Sequence, residues 1–169
     1  YASRGLGDVY KRQTTHNLGV ALVQRGYRVL LVDCDTQRNL SISLGLNRPD
    51  EECYTLCELL QPLIDVEVDE VDIQNCIHHL ENGVDFIPNK QALSTVEKQI
   101  STLDFRRECI LFDALEDVRL DYDYILLDCM ASLGMLAVNV MMACDTVRAG
   151  AAWKEFANYL CLNILFTKK

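Results

Sequence analysis

The segment Arg28-Val29-Leu30-Leu31-Val32-Asp33-Cys34-Asp35-Thr36-Gln37-Arg38-Asn39-Leu40-Ser41 decides the fold. Four consecutive apolar residues, two of them valine, follow a turn at Gly26 and stop at two aspartates one residue apart. An uninterrupted apolar run closed by turn residues reads as a parallel strand buried on both faces. Its carboxyl end is where an α/β sheet places chemistry. The pattern returns at Tyr124-Ile125-Leu126-Leu127-Asp128, followed by Cys129-Met130-Ala131-Ser132-Leu133-Gly134. Set side by side, two such strands bring Asp33, Asp35 and Asp128 around one crevice.

A lone aspartate after a strand is usually a helix cap or a turn residue. Three at the ends of two buried strands point instead to a magnesium-nucleotide site, because Mg²⁺ prefers a few carboxylates together with water and phosphate oxygens. The motifs then become specific. VLLVDCDTQRNLS resembles the VLLVDxDPQGNxT element of the ParA-type partition ATPases, a deviant Walker family of P-loop proteins. DYDYILLDCMASLGMLAVN is similar to that family's Walker B and switch region, DYDYIxIDxPPSLGxLTxN. The likeness runs from about Thr14 to about Val147.

The resemblance implies an α/β, P-loop NTPase-like fold with a doubly wound, mostly parallel sheet, incomplete in this chain. It divides the sequence into a non-family start (residues 1–13), a partial P-loop ATPase domain (14–147) and an unassigned tail (148–169). Its cofactors are ATP and Mg²⁺. By the family's motif, Asp35 positions the attacking water, Asp33 and Asp128 lie in the magnesium shell, and Ser132 and Gly134 sense the γ-phosphate. Met130 and Ala131 stand where the family has two prolines, which loosens this loop. The family also implies an ATP-dependent homodimer, a centromere-binding ParB-like partner, and a cytoplasmic, nucleoid-associated protein that moves plasmids or chromosomal loci.

The start departs from the family. Counting back from Thr14-Thr15-His16-Asn17-Leu18, which resembles the family's TTxNL helix start, Lys11 falls at the P-loop lysine, 24 residues before Asp35 (35 − 11). The family's K-G-G-V-G-K-T-T wraps phosphates with backbone N–H groups, while its lysine reaches the β and γ groups and its threonine holds Mg²⁺. Here Leu6 replaces the signature lysine, Asp8 and Tyr10 replace glycines, and Arg12 replaces the magnesium threonine. A non-glycine residue forced into left-handed geometry costs roughly 1–2 kcal/mol, and Asp8 adds a negative charge facing phosphate. As written, the cradle is expected to hold ATP poorly. Val9 to Gln13 is also what GTG-TAT-AAG-AGA-CAG encodes, a string resembling a transposon end used in sequencing libraries, so these residues are expected to be foreign. The family's first strand lies inside the sheet, and residues 1–13 offer no replacement. An open slot is therefore expected, with unpaired N–H and C=O groups costing about 1–3 kcal/mol each.

With 169 residues, half of them apolar, the chain can bury one substantial core. No run approaches the roughly 20 apolar residues of a membrane span, and a cytosolic protein without a membrane role is expected. The eight cysteines are scattered through apolar segments and read as buried reduced thiols. Cys53 and Cys57, four apart, lack a second ligand pair for a metal. With 25 acidic against 16 basic side chains and a net charge of −9, the chain is not expected to bind DNA, although the family does so non-specifically.

Apolar spacing predicts helices over 14–24, 41–46, 54–60, 91–103, 105–120 and 136–144, and a third parallel strand at Val84-Asp85-Phe86-Ile87-Pro88, similar to the family's IPSN segment. His78-His79 is expected to be a solvated helix end. Asp145-Thr146-Val147 is expected to open a strand that Arg148 to Ala152 break. Trp153, Phe156 and Leu160 share helical spacing ahead of Lys168-Lys169, which keeps a second reading open, a MinD-like membrane-surface ATPase. The third reading is a non-catalytic interaction module that kept the sheet and lost the nucleotide.

Overall fold

The structure, a computed structural model, describes residues 15–46, 53–129 and 134–145, together with the backbone of 147–149 and 162–165. The helical spacing at Trp153, Phe156 and Leu160 lies outside the described residues. Helix α1 covers residues 15–23 and ends in a turn where Gly26 adopts φ +87°, a left-handed conformation that suits glycine. Strand β1 (Val29–Cys34) follows, and every one of its residues is buried. Then come α2 (Asn39–Ser43), α3 (Leu56–Ile64), β2 (His78–His79), β3 (Asp85–Ile87), α4 (Leu93–Thr102) and α5 (Ile110–Leu115). The remaining elements are β4 (Tyr124–Cys129), α6 (Met135–Met142), β5 (Val147–Ala149) and β6 (Leu162–Leu165). No helix of the described residues is long and apolar enough to cross a membrane.

The strands form one sheet in the order β2-β3-β1-β4-β6-β5. Its centre, β3-β1-β4, is parallel, and β2, β6 and β5 add antiparallel pairings at the flanks. Register between β1 and β4 is set at their amino ends, where Arg28 N–H donates to Asp123 Oδ2 at 2.8 Å. From there the two strands run in step to Asp33 opposite Asp128 and Cys34 opposite Cys129.

Side chains alternate across a strand, so β1 feeds two layers. Leu30, Val32 and Cys34 join the larger core cluster with Leu56 and Leu60 of α3, Ile100 of α4, Leu111 of α5 and Val140 of α6. Val29 and Leu31 join the smaller cluster with Leu22 of α1, Leu40 of α2 and Phe86 of β3. Helices thus cover both faces, as a doubly wound sheet requires. At Gly19, α1 approaches β1 so closely that an added Cβ would lie 3.1 Å from Leu31 Cδ2. The same alternation puts Asp33 on the α1 face with Leu31, and Asp128 there with Leu126. Cys34, Cys57, Cys76 and Cys129 are buried in the larger cluster.

Four expectations change. His78-His79 is a short edge strand antiparallel to β3, because its backbone completes the ladder beside Phe86 and Asp85. The span 105–120 is no single helix. Arg106 adopts φ +55° and Phe105 is exposed, α5 starts only at Ile110, and a 3₁₀ turn at Glu116–Val118 ends it. Arg148 and Ala149 continue β5 rather than breaking it. The open slot is also absent among the described strands, since β6 runs antiparallel to β4 with Asn163 opposite Asp128, and β4 is paired on both sides.

Candidate functional site

Asp33, the fifth residue of β1, is fully buried, and its carboxylate is held by three donors. Ser41 N–H and Ser41 Oγ donate to Oδ2 at 2.8 and 2.7 Å, and Asp35 N–H donates to Oδ1 at 3.1 Å. Burial nonetheless pushes the Asp33 pKa up to about 6, since the hydrogen bonds from Ser41 and Asp35 recover only part of the lost hydration and the Asp35 charge opposes ionisation. Asp128, opposite it on β4, is 4% exposed. Two in-register buried acids on one sheet face present hard carboxylate oxygens of the kind a magnesium ion takes.

Asp35 sits one residue beyond β1 and is partly exposed. Its Oδ1 accepts Gln37 N–H at 2.8 Å and its Oδ2 accepts Asn39 Nδ2 at 3.1 Å. A carboxylate oxygen accepts about two hydrogen bonds, so each keeps acceptor capacity after these contacts. Asn89, just past β3 and fully buried, donates Nδ2 to the Asp35 carbonyl at 2.6 Å and its backbone N–H to Ser41 Oγ at 2.9 Å. The start of α3 braces this end of β3. Leu56 N–H donates to Pro88 O at 2.9 Å, and Lys90 pairs with Glu58, which completes a capping box with Thr55.

Arg38, the N-cap residue of α2, adopts φ +48°. The resembling motif VLLVDxDPQGNxT has glycine at this place, which takes that conformation without a Cβ clash.

Gly134 is the N-cap of α6. The Glu97 carboxylate, reaching over from α4, accepts Leu136 N–H at 3.2 Å, and an added Cβ on Gly134 would run into it. Further along α6, fully buried Asn139 donates Nδ2 to the carbonyls of Arg107 and Met135 at 2.7 and 3.0 Å and accepts Leu111 N–H at 3.1 Å.

The sequence matches the family described as "AAA domain" over residues 3–166. It is 39% identical over 143 residues to the sporulation initiation inhibitor protein Soj of Bacillus subtilis, covering 83% of this chain and 53% of that protein. The chain belongs to this family, in its ParA/Soj branch. It is 40% identical over 146 residues to the chromosome partitioning protein ParA of Caulobacter vibrioides, across 83% of this chain and 51% of the relative. A solved cobyrinic acid a,c-diamide synthase from Mycobacterium smegmatis, with bound ATP analog and magnesium, superposes with a TM-score of 0.70 at 32% identity, covering 80% of this chain and 52% of that one. The chain spans about half the length of the curated relatives it matches.

Of the residues expected at the site, the fold brings Asp33, Asp35 and Asp128 to the carboxyl ends of β1 and β4, and Gly134 to the start of α6. Lys11 and Ser132 lie outside the described residues. Sequence reasoning did not assign Ser41, Asn89 or Glu97. Ser41 stood at the end of the quoted VLLVDCDTQRNLS motif, so its hydroxyl position was open to inference. Asn89 and Glu97 act across 54 and 39 residues, on Asp35 and Leu136, a separation no local pattern encodes.

Proposed function

We propose that this chain carries the Mg²⁺-ATP site of a ParA-type partition ATPase, and that the degraded cradle at residues 6–12 impairs it as written. The observation that carries the reading is the in-register pair Asp33 and Asp128, with Asp35 one residue beyond the strand. Asp33 and Asp128 would hold Mg²⁺, which supplies charge compensation for the phosphates. Asp35 uses its remaining acceptor capacity to orient the attacking water, and catalysis of this type is mainly positioning and electrostatics. Lys11, Ser132 and Gly134 would face the phosphates. The bound state is a homodimer, a ParB-like centromere-binding partner stimulates hydrolysis, and the setting is cytoplasmic. Solved relatives support the cofactors, since the 32%-identical synthase is described with an ATP analog and magnesium. A net charge of −9 argues that this stretch does not itself retain DNA.

The test rebuilds the cradle with a native first strand and Leu6→Lys, Asp8→Gly, Tyr10→Gly and Arg12→Thr. Calorimetry of the rebuilt protein should then detect ATP binding with Mg²⁺, and Asp35→Ala should remove most hydrolysis while sparing binding. A folded, rebuilt chain that binds no ATP, or one whose hydrolysis ignores Asp35→Ala, overturns the reading.

A further inference from the structure

Four residues close a hydrogen-bonded ring around the proposed water-orienting acid. Starting at Asp35, its N–H donates to Asp33 Oδ1, the Asp33 Oδ2 accepts Ser41 Oγ–H, Ser41 Oγ accepts Asn89 N–H, and Asn89 Nδ2 returns to the Asp35 carbonyl. The bonds measure 3.1, 2.7, 2.9 and 2.6 Å in that order. Asp33, Ser41 and Asn89 are all fully buried, whereas Asp35 is not. The ring ties the end of β1 and the adjacent helix α2 to the residue just past β3, 48 positions from Ser41 and 54 from Asp35.

Its geometry fixes the Asp35 backbone from both sides. The N–H is held by Asp33 and the C=O by Asn89, so the φ and ψ that aim the Asp35 side chain are both constrained. Buried hydrogen bonds of this kind are strong because water does not compete for the donors. On the far side of Asn89, the Cys57 thiol lies 3.8 Å from Oδ1, which sets the amide with its nitrogen toward Asp35. Nothing in the ring requires Asn89 to touch nucleotide.

We infer that Asn89 is a positioning residue, holding the Asp35 main chain so that its carboxylate keeps one orientation toward the reacting water. The inference rests on the reading of Asp35 given above. It assigns to the end of β3 a part in hydrolysis without a part in binding. Loss of the Asn89 donor should therefore slow turnover while leaving nucleotide affinity in place, because misplacing a catalytic group costs rate rather than ground-state binding.

Asn89→Asp tests this with little change in volume, replacing the donor to the Asp35 carbonyl by an acceptor while keeping the backbone bond to Ser41. Amide hydrogen exchange on the full 169-residue chain should quicken by about tenfold or more at Asp35 and Gln37 but stay within about twofold at Leu30, Leu31 and Val32. On the cradle-rebuilt chain, kcat should fall by about tenfold or more with KM for Mg²⁺-ATP within about threefold. Asn89→Ala, which introduces no charge, should reproduce both results. Unchanged exchange at Asp35, a kcat equal to the parent's, or a KM that rises in step with the loss of kcat overturns the inference. So does general acceleration across β1 in both variants, since that marks a residue holding the whole fold. Asp35→Ala separates the two proposals. If it abolishes turnover while Asn89→Asp does not, the positioning role alone fails; if it leaves turnover intact, the reading of the crevice fails and takes this role with it.

Discussion

The two faces of the sheet are made from alternate residues of the same strands, yet they are put to different uses. Under α3 to α6, Leu30, Val32, Ile125 and Leu127 meet apolar side chains across a large continuous core. On the α1 face the apolar layer is smaller and stops at Asp33 and Asp128, where polar side chains take over. One face supplies stability; the other accepts the buried Asp33 carboxyl at an energetic cost. A single change of side-chain parity separates the two roles, so a slip of one residue in β1 against the rest of the sheet would turn Cys34 to the site face and drive Asp33 into the core.

Substitutions that strike each face should separate the two roles. Leu30→Ala empties a fully buried position in the large cluster and should cost about 2–5 kcal/mol in chemical denaturation. A loss below about 1 kcal/mol would mean that this face does not carry the stability assigned to it.

On the other face, Asp33 makes stability depend on pH. Its folded-state pKa of about 6 lies above the ordinary 3.8, so the folded protein holds this proton more tightly than the unfolded chain between those values. The contribution is therefore most favourable below about pH 4, falls as pH rises to about 6, and stays flat above; its span is roughly 3 kcal/mol. Measured in EDTA, the stability difference between the parent and Asp33→Asn should narrow or reverse by that order across the window, to the parent's disadvantage as pH rises. A difference that does not vary with pH would show that Asp33 is not held as an unfavourable charge.

Asn139 links α6 to the core side, since it binds the chain at Arg107 and the first turn of α5. Asn139→Ala removes three hydrogen bonds and leaves the Leu111 N–H buried without this acceptor, which should lower stability by about 1–3 kcal/mol. Equal melting of variant and parent would dissolve that link. The smallest effect belongs to Arg38, where glycine would relieve the left-handed strain at φ +48° while adding entropy to the unfolded chain. Arg38→Gly should raise stability by under about 1 kcal/mol, and a clear loss would show that the Arg38 side chain does more than tolerate its conformation.

The legible part of this molecule is the part whose environment is uniform. Strands β1 and β4 are covered on both faces, so their burial is written as unbroken apolar runs, and the acids that end the runs mark the carboxyl edge. The amphipathic stripe Leu93, Val96 and Ile100 likewise announced α4. What escaped was set by distant partners. His78-His79 becomes a strand because β3 lies beside it, and the span from Phe105 to Cys109 leaves the helix although its sequence is compatible with one. Ser41, Asn89 and Glu97 are polar residues that would pass locally for cap or loop positions. Their bonds to Asp33, Asp35 and the start of α6 exist only after the sheet has assembled.

The central claim is that the polar end of the α1 face is a metal-nucleotide site built on Asp33 and Asp128. Its most direct test is the magnesium dependence of ATP affinity, measured by calorimetry on the cradle-rebuilt chain and on the same chain carrying Asp33→Asn and Asp128→Asn. Magnesium should tighten ATP binding by about tenfold or more in the first, about 1.4 kcal/mol, and by less than about twofold in the second. An equal magnesium effect in both proteins would contradict the assignment of these acids.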